Sequence, residues 1–327
     1  MPIRPLALPA DLAAAAEVVG KAFRYPDHPE WELDLAEREQ FAGVIRRIQR
    51  VWPAIRLLGL LSPSLRDLLQ GFVWEEDGEL AGFVVVQRDG QSSVWQIEPL
   101  GVLPRFRRQG IGRQLMTEAL QMIRARGGRL VKLGVIEGNT PAQRLYSSMG
   151  FVEYSGTNLL VLTPSTRIEP DLLPAGYVES PLARFDWRTR HEMDLRITPP
   201  SARAFEAISP GRYRVPLLIR AVIPFFGNTH DHDMVIHRSS DHVAVARFGW
   251  SISKPVGGTN SIRVRLDPAH ADLASYTVRR ALSALLSRTL GQQVELFPPS
   301  WMPGVACAAE MLGYQHRRLH KSMGLEL

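Results

Sequence analysis

The chain has 327 residues, of which 45% are hydrophobic and 22% are charged. This composition is too apolar for a disordered chain and too charged for a bundle of membrane helices. A single cysteine, Cys307, excludes an intramolecular disulfide and a cysteine-based zinc site. The formal net charge is +6, but the basic residues are spread along the chain, which favours solvated faces over a nucleic-acid surface.

The predicted location is the cytoplasm. No apolar run is long enough to cross a membrane, and Met1–Pro5 lacks the basic and apolar regions of a secretion signal. Residues 38–71 combine apolar residues at helical spacing with several arginines; this pattern would suit a membrane surface, but more often it covers a core or a substrate groove. We therefore expect neither a membrane nor a nucleic acid as partner.

Hydrophobic periodicity and turn residues predict alternating strands and helices in the first half of the chain. Asp77-Gly78 marks a hairpin, and Gly127-Gly128 ends a long amphipathic helix. The predicted elements, in chain order, are a strand at 3–6, a helix at 9–23, a hairpin at 72–87, a strand at 94–103, a helix from about 111 to 126, a strand at 130–136, a helix at 141–149 and a strand at 151–162.

The second half of the chain repeats this order. A shift of 163 residues places Val131 on Val294 and Gly150 on Gly313 without a gap. The hairpin, the long helix and the short helix also have counterparts there. The repeat predicts two domains of one architecture, at residues 1–163 and 175–327, joined by a linker at 164–174 that is rich in Pro, Ser and Thr.

A glycine-containing loop, Arg107-Arg108-Gln109-Gly110-Ile111-Gly112, lies between a predicted strand and the start of a helix. Glycines there leave backbone N–H groups free to converge on one point, and a helix N-terminus attracts phosphate. The loop has neither the dinucleotide nor the nucleoside triphosphate fingerprint. Taken alone, it fits either a pyrophosphate ligand or an ordinary turn that opens a helix.

Downstream, a polar segment opens the short helix. Thr140, Pro141 and Gln143 fit a capping box with proline in the first turn, and Gly150 ends the helix. Tyr146 lies beside the apolar stripe of this helix, a position that would also suit a tyrosine capping a core with its hydroxyl in water.

These motifs are specific in combination. Val102-x-Pro104, Arg107-x-x-Gly110-x-Gly112 and Asn139-x-x-Ala142-x-x-Leu145-Tyr146-x-x-x-Gly150-Phe151 resemble the GNAT family of acetyl-CoA-dependent N-acetyltransferases. The resemblance covers residues 1–163 in element order and 94–151 closely in motif. It implies an α/β fold of the α+β type, with a mixed, mostly antiparallel sheet flanked by helices and splayed between the strand ending near Val102 and the strand at 130–136. The repeat then implies two such domains in tandem.

The resemblance also implies a site for acetyl-CoA, used as a co-substrate, in the splay. The backbone of Leu100 and Val102 would contact the pantetheine arm, and Asn139 would contact the same arm of the cofactor. Tyr146 would reach toward the thioester sulfur. The residues implied around the pyrophosphate are Arg107, Arg108, Gln109, Gly110, Ile111 and Gly112, with Arg113 as a further cation.

Family chemistry is direct attack of a neutral amine on the thioester. An amine of the lysine type has a pKa near ~10.4, so a base must remove a proton first. Glu98 is the candidate base, because it lies four residues before Val102 on one strand and should point the same way; a solvated glutamate or an ion pair with arginine would also explain it. Glu30, Glu32 and Asp34 are further acidic residues that would suit a cationic substrate.

The second copy looks degenerate. Where the first copy has the glycine loop, the second has Ala269-His-Ala-Asp-Leu-Ala-Ser-Tyr276, without glycine or arginine. Asp272 within this stretch would repel phosphate. At the 163 shift, Asn139 becomes Met302 and Tyr146 becomes Ala309. We expect a structural or substrate-binding half and one active site per chain.

No metal site is expected. His230-Asp231-His232-Asp233 offers possible ligands, but a polar loop before a hairpin explains it, and Cys307 is expected to pack in a core.

The sequence as a whole predicts an N-acetyltransferase whose acceptor is a small or protein amine. A non-catalytic acyl-CoA sensor is the alternative, and a nucleic-acid binder is a third possibility. The oligomeric state cannot be read from the sequence.

Overall fold

The computed structural model describes residues 2–25, 28–32, 52–53, 70–90, 92–215, 229–253 and 260–327. The chain divides into two compact units. Unit 1 comprises residues 1–154, 205–207 and 322–327, and unit 2 comprises 155–204 and 208–321. Most of the predicted amphipathic segment at 38–71, Asp34 and the side chain of Glu30 lie outside the described residues.

Unit 1 is a sheet with helices on both faces. Along β3, Phe83 and Val85 pack with α1, whereas Val84 and Val86 pack with α2, because successive side chains of a strand point to opposite faces. Its strands are β1 (Ile3–Pro5), β2 (Gln70–Glu76), β3 (Glu79–Arg88), β4 (Val94–Val102) and β5 (Leu130–Ile136), adjacent in that order, and its helices are α1 (Leu12–Ala22), α2 (Ile111–Ala125) and α3 (Thr140–Ser147).

Strands β4 and β5 separate partway along their length. They pair in parallel from Val94 opposite Leu130 to Gln96 opposite Lys132. Beyond that position β4 continues to Val102 and β5 to Ile136 without further pairing between them. The predicted splay is confirmed, and it leaves one edge of β4 open.

A bulge in β4 changes the side on which Glu98 lies. Val84 is opposite Leu100, but Val86 is opposite Ile97, so β4 carries one extra residue between these two pairs. As a result, Ile97, Leu100 and Val102 all pack on the α2 side of the sheet. Glu98 therefore faces the α1 side, and the expectation that Glu98 and Val102 point the same way is wrong.

Unit 2 repeats the element order of unit 1. Its parallel ladder runs from Asn260 opposite Val294 to Ile262 opposite Leu296, after which β10 continues to Leu266 without pairing with β11. The remaining elements are β6 (Val152–Leu162), β7 (Tyr177–Pro181), β8 (Thr229–Arg238), β9 (Ala244–Ser253), β10 (Asn260–Leu266), β11 (Val294–Leu296), β12 (Gln315–Glu326), α4 (Trp187–Ile197), α5 (Pro200–Glu206), α6 (Pro210–Tyr213), α7 (Leu273–Thr289) and α8 (Pro303–Met311).

Each unit contains more than one stretch of the chain. The chain leaves unit 1 within β6, and residues 322–327, at the end of β12, belong to unit 1 again. In unit 1 the Leu327 N–H donates to the Arg129 carbonyl at 2.9 Å. The predicted domain limits at 163 and 175 stay a prediction; the compact units divide the chain at other residues. Among the described residues, no helix is both long and apolar enough to cross a membrane.

Candidate active site

The loop between β4 and α2 turns its backbone amides to one side. Arg108 and Gly110 have φ values of 66° and 82°, and Gly110 is the residue that precedes helix α2. Left-handed residues on both sides of Gln109 make successive N–H groups converge, the arrangement that forms anion-binding concavities. For Arg108 this conformation costs on the order of 1 kcal/mol, because its Cβ approaches the following carbonyl.

Most backbone donors of this loop have no acceptor among the described residues. Arg107 N–H donates to the Pro104 carbonyl and Gln114 N–H to the Gly110 carbonyl. Between them, no backbone N–H from Arg108 to Arg113 donates to a described residue. A row of unpaired, solvent-accessible donors at a helix N-terminus suits a diphosphate.

Arginine side chains near the loop point in different directions. Arg107 Nη2 donates to the Ala22 carbonyl at the end of α1 (2.7 Å), Nε to the Val102 carbonyl (3.3 Å), and the guanidinium lies 4.7 Å from the centre of the Tyr25 ring. Arg107 is therefore directed at α1 in this structure. Arg108 is exposed and forms no ion pair with the part of the chain that is described.

Other residues of the loop fix its position. Arg113 Nη2 donates to Ser148 Oγ at 2.5 Å, which links the start of α2 to the end of α3. Gln109 Nε2 donates to the Arg105 carbonyl at 3.3 Å, and Ile111 is 2% exposed in the core beneath α2. These side chains hold the loop, while its amides remain open.

The open edge of β4 forms a wall of the splay. Leu103 N–H donates to the Ala81 carbonyl of β3 at 2.9 Å. Backbone groups of a strand alternate between its two edges, so those of Val102 face the splay. A Cβ at Gly112 would lie 3.5 Å from Leu145 Cδ2 and 3.9 Å from Val102 Cγ2. These are ordinary van der Waals distances, so the missing side chain at Gly112 leaves a space of about one methyl group beside Val102, which we call the passage.

Asn139 begins helix α3. Its Oδ1 accepts the N–H of Ala142 at 3.3 Å, whereas Thr140 Oγ1 donates to the Gly138 carbonyl at 3.2 Å. The predicted cap at Thr140 is thus wrong by one residue, because Asn139 supplies the capping oxygen. Its side-chain amide N–H₂ remains available for another partner.

Tyr146 projects from α3 into the core that underlies the splay. It is buried, its ring lies 6.1 Å from that of Phe151, and its hydroxyl has no hydrogen-bond partner among the described residues. Burial raises the pKa of the phenol, and the carboxylate of Glu98 together with Tyr25, once that phenol is ionised, raises it further. The hydroxyl is therefore a neutral donor at physiological pH.

Glu98 lies across the splay from β5. Gln96 Nε2 donates to its Oε2 at 2.6 Å, and its Oε1 is 4.0 Å from the position that a Cβ on Gly134 would take. Solvent reaches the carboxylate, yet the protein atoms around it are numerous enough that desolvation raises its pKa. The hydrogen bond from Gln96 and the positive charge of Lys132 oppose that shift.

A polar network lies where the splay begins. Lys132 is 8% exposed, and its Nζ is 2.8 Å from Asp89 Oδ2 and 3.5 Å from Glu206 Oε2. The hydroxyl of Tyr154 donates to the other oxygen of Glu206 at 3.2 Å. Sequence reasoning missed this network, and its one signal was a lysine inside an otherwise apolar strand.

Aromatic residues after α1 were missed as well. The rings of His28 and Trp31 are stacked 3.7 Å apart, and Tyr25 meets Trp31 edge-on at 5.4 Å. Trp31 Nε1 lies 3.4 Å from the position that a Cβ on Gly138 would take, just before Asn139. Glu32, expected to attract a cationic substrate, accepts the N–H of Tyr25 at 2.9 Å and so helps to hold this segment.

Comparison with known proteins shows similarity in sequence over part of the chain and in fold over nearly all of it. Residues 28–151 match the model of the Acetyltransferase (GNAT) family. This stretch of the chain is similar to GNAT acetyltransferases. A tandem GNAT protein from the clavulanic acid biosynthesis pathway superposes with a TM-score of 0.60 at 16% identity, covering 99% of this chain and 98% of that one. The fold is accordingly α/β, with two GNAT-like domains in tandem.

Curated GNAT relatives match part of their length. A mycothiol acetyltransferase from Thermobispora bispora is 33% identical over 137 residues, which cover 40% of this chain and 40% of the relative. The peptidyl-lysine N-acetyltransferase YiaC from Escherichia coli is 38% identical over 93 residues, covering 27% of this chain and 57% of the relative. The chain thus spans well under two thirds of the length of these relatives.

Unit 2 lacks several features of the candidate site in unit 1. Met302 precedes α8 just as Asn139 precedes α3, but it provides no side-chain cap. Ala309, the counterpart of Tyr146, is fully buried. Before α7, Asp267 Oδ1 accepts the N–H of Ala269 at 3.0 Å, so a protein carboxylate occupies a donor of this turn. These observations fit the predicted loss of the cofactor loop.

Two minor expectations for unit 2 are wrong. His230 to Asp233 belong to strand β8 and not to a loop, and Cys307 is exposed on α8 rather than packed in a core. Among the described residues, no group of three or more His, Cys, Asp or Glu side chains is arranged to hold a metal ion.

Proposed function

We propose that unit 1 transfers an acetyl group from acetyl-CoA to a primary amine, which attacks the thioester directly. The match of residues 28–151 to the GNAT family model supports acyl transfer in general terms. One observation supports the specific proposal most: the charge of Glu98 reaches the hydroxyl of Tyr146, and both residues belong to the unit whose loop amides from Arg108 to Arg113 donate to no described residue.

The loop and the splay fit the two ends of coenzyme A. Backbone N–H groups of residues 108–113 would bind the diphosphate, and exposed Arg108 would supply a cation. The pantetheine arm would follow the passage beside Gly112 and hydrogen-bond the free edge of β4 at Leu100 and Val102. Bound acetyl-CoA supplies the activated acyl group. Asn139, whose amide N–H₂ donates to no described residue, would contact the same arm.

Glu98 would accept the proton of the incoming ammonium, directly or through one water. Its raised pKa brings it closer to neutral pH, where a general base is most effective. Gln96 holds one carboxylate oxygen and leaves Oε1 directed toward β5. The aromatic residues Tyr25, His28 and Trp31 would form a wall of the acceptor pocket on this side of the sheet.

Tyr146 would complete the reaction as the acid. Its elevated pKa keeps the phenol protonated, so it can give a proton to the departing thiolate. Backbone N–H groups at the open edge of β4 would stabilise the oxyanion that develops on the carbonyl oxygen. The proton balance closes when Glu98 releases the ammonium proton to solvent and the second proton lost by the attacking nitrogen, passed through solvent, reprotonates Tyr146.

Thiol release from acetyl-CoA tests the proposal. The acceptor panel would contain small primary amines, aminoglycosides and a lysine peptide, since the relatives include both a mycothiol and a peptidyl-lysine acetyltransferase. We expect amine-dependent turnover and an acetylated product. Arg108→Gln should weaken coenzyme A binding about tenfold, whereas Arg124→Gln, an exposed change at the other end of α2, should not. Tight coenzyme A binding without turnover on any amine would instead indicate an acyl-CoA sensor.

A further inference from the structure

A pair of adjoining cavities lies on one face of unit 2, outside the site described above. One has a volume of about 350 Å³ and the other about 580 Å³, and they share a wall formed by strand β8, strand β10 and helix α4. The residues common to both are Leu182, Arg190, Asp233 and Arg263.

Strand register shows what this face corresponds to in unit 1. Val131 and Val294 are counterparts in the repeat, and they pair with Trp95 and Asn260 in their parallel ladders. Counting along each strand from these pairs places Arg263 at the position of Glu98. Both side chains also face away from the long helix of their unit, because Ile262 and Val264 pack on α7.

The charges at this position are reversed between the two units. Arg263 replaces Glu98, and by the same register buried Glu295 replaces buried Lys132. A guanidinium stays protonated in proteins, so Arg263 cannot serve as a base for an amine. A guanidinium at the mouth of a cavity does suit a carboxylate or a phosphate.

Arginines outnumber carboxylates around the cavities. Asp233 is shared between Arg190 (2.9 Å) and Arg263 (3.1 Å), and Asp231, 3.8 Å from Arg263, also accepts a hydrogen bond from Ser251. These carboxylates fix the guanidinium groups in place, and Arg247 is held in the same way by Asp194 at 2.7 Å. The arginines of the lining are Arg184, Arg190, Arg247, Arg263 and Arg265, and its carboxylates are Asp231 and Asp233.

The cavities also have an apolar wall. Leu182 lines both cavities, and Phe297, which is 42% exposed, lies at the edge of the smaller one. His232 and Trp250 stack at 5.1 Å on the side of the larger cavity. A ligand that fits both parts of the lining carries an anionic group and an apolar group.

We propose that this face of unit 2 binds a small organic anion, with Arg263 and Arg190 contacting its carboxylate or phosphate and Phe297 packing against its apolar part. The binding does not depend on the acetyl transfer proposed for unit 1. Unit 2 would then have a pocket at the position that Glu98 occupies in unit 1, with an arginine that binds an anion in place of the proposed base.

Titration calorimetry on the full chain tests this, with phenyl phosphate and benzoate as probes at constant ionic strength. The two probes separate a phosphate ligand from a carboxylate ligand. We expect saturable binding of at least one probe and a loss of about tenfold or more in Arg263→Gln, because two charge-assisted hydrogen bonds are removed. Arg188→Gln is the matched control, since Arg188 lies on the same helix as Arg190 but does not line the cavities.

Phe297→Asp gives a second variant that leaves every ion pair intact. A carboxylate at this exposed edge should repel the probe and weaken binding without unfolding the chain, which far-UV circular dichroism would check. Absence of binding for both probes, or equal binding by the wild type, Arg263→Gln and Phe297→Asp, would overturn the proposal. Because the readout is binding to unit 2, a failure of acetyl transfer in unit 1 would not change either result.

Discussion

Lys132 lies directly opposite Gln96 at the last paired position of β4 and β5, and Gln96 donates a 2.6 Å hydrogen bond to Glu98. Lys132 itself is buried and held by Asp89 and Glu206. Its positive charge lowers the pKa of Glu98 and so opposes the effect of desolvation. A lysine at the point where the two strands separate thus influences the pKa of the proposed base.

Lys132→Met should therefore shift the pH dependence of kcat/KM. Without the lysine charge the pKa of Glu98 rises, and since the base must be ionised, the acidic limb of the profile moves to higher pH. Activity at low pH falls, while activity above both pKa values recovers. Lys132→Arg keeps the charge and should keep the limb near its original position. An unchanged limb in the Met variant, with the fold intact, would contradict the coupling.

Glu98→Gln removes the proposed base while keeping the size of the side chain. We expect kcat/KM at neutral pH to fall by about 10²- to 10⁴-fold, the usual contribution of a general base. Coenzyme A affinity should stay the same, because Glu98 lies on the side of β4 opposite Val102. The loss should shrink as pH approaches the pKa of the amine. Wild-type turnover at neutral pH would remove Glu98 from the mechanism.

Local sequence was sufficient to predict the glycine loop between β4 and α2, whereas the splay was implied by the resemblance to a family. The positions of Gly110 and Gly112 depend on a strand–turn–helix junction whose residues are adjacent in the chain, and the structure has that junction where the motif predicts it. Asn139 was placed at the right loop, although the cap was assigned one residue late. In each case the determining contacts are a few residues apart.

Non-local pairing explains what sequence reasoning missed. The direction of Glu98 depends on a bulge that exists only because β3 pairs with β4 in a particular register. The partners of Lys132, Asp89 and Glu206, are 43 and 74 residues away in the chain. His230 to Asp233 looked like a loop because their polarity is that of a turn, yet pairing with β9 and the arginines beside them makes a polar strand stable.

Tyr146→Phe tests the proposed acid. The ring and its packing against Phe151 remain, so coenzyme A binding and the melting temperature should change little. Loss of the hydroxyl should lower kcat by about 10²-fold, because the thiolate then leaves without a proton donor. Burial raises the pKa of Tyr146 above its ordinary value, so the wild type should show no loss of activity from this group near pH 10. Tyr276→Phe in unit 2 is the control, and equal rates in the two variants would exclude the assignment.

Gly112 and Gly20 differ in what a new side chain would meet. A Cβ at Gly112 would touch Leu145 and Val102, whereas a Cβ at Gly20, inside α1, would have nothing within 4 Å. Gly112→Val should therefore fill the passage beside β4 and weaken coenzyme A binding by about tenfold or more, as expected when extra methyl groups enter a packed site.

Gly20→Ala should leave coenzyme A binding unchanged and stabilise the chain by about 0.5–1 kcal/mol, since alanine is the better helix former. Calorimetric titration and urea unfolding of both variants measure the two effects separately. If Gly112→Val bound coenzyme A as the wild type does, with an unchanged free energy of unfolding, the cofactor would have to follow a path other than the passage between Val102 and Leu145, and the placement of the pantetheine arm along the open edge of β4 would be wrong.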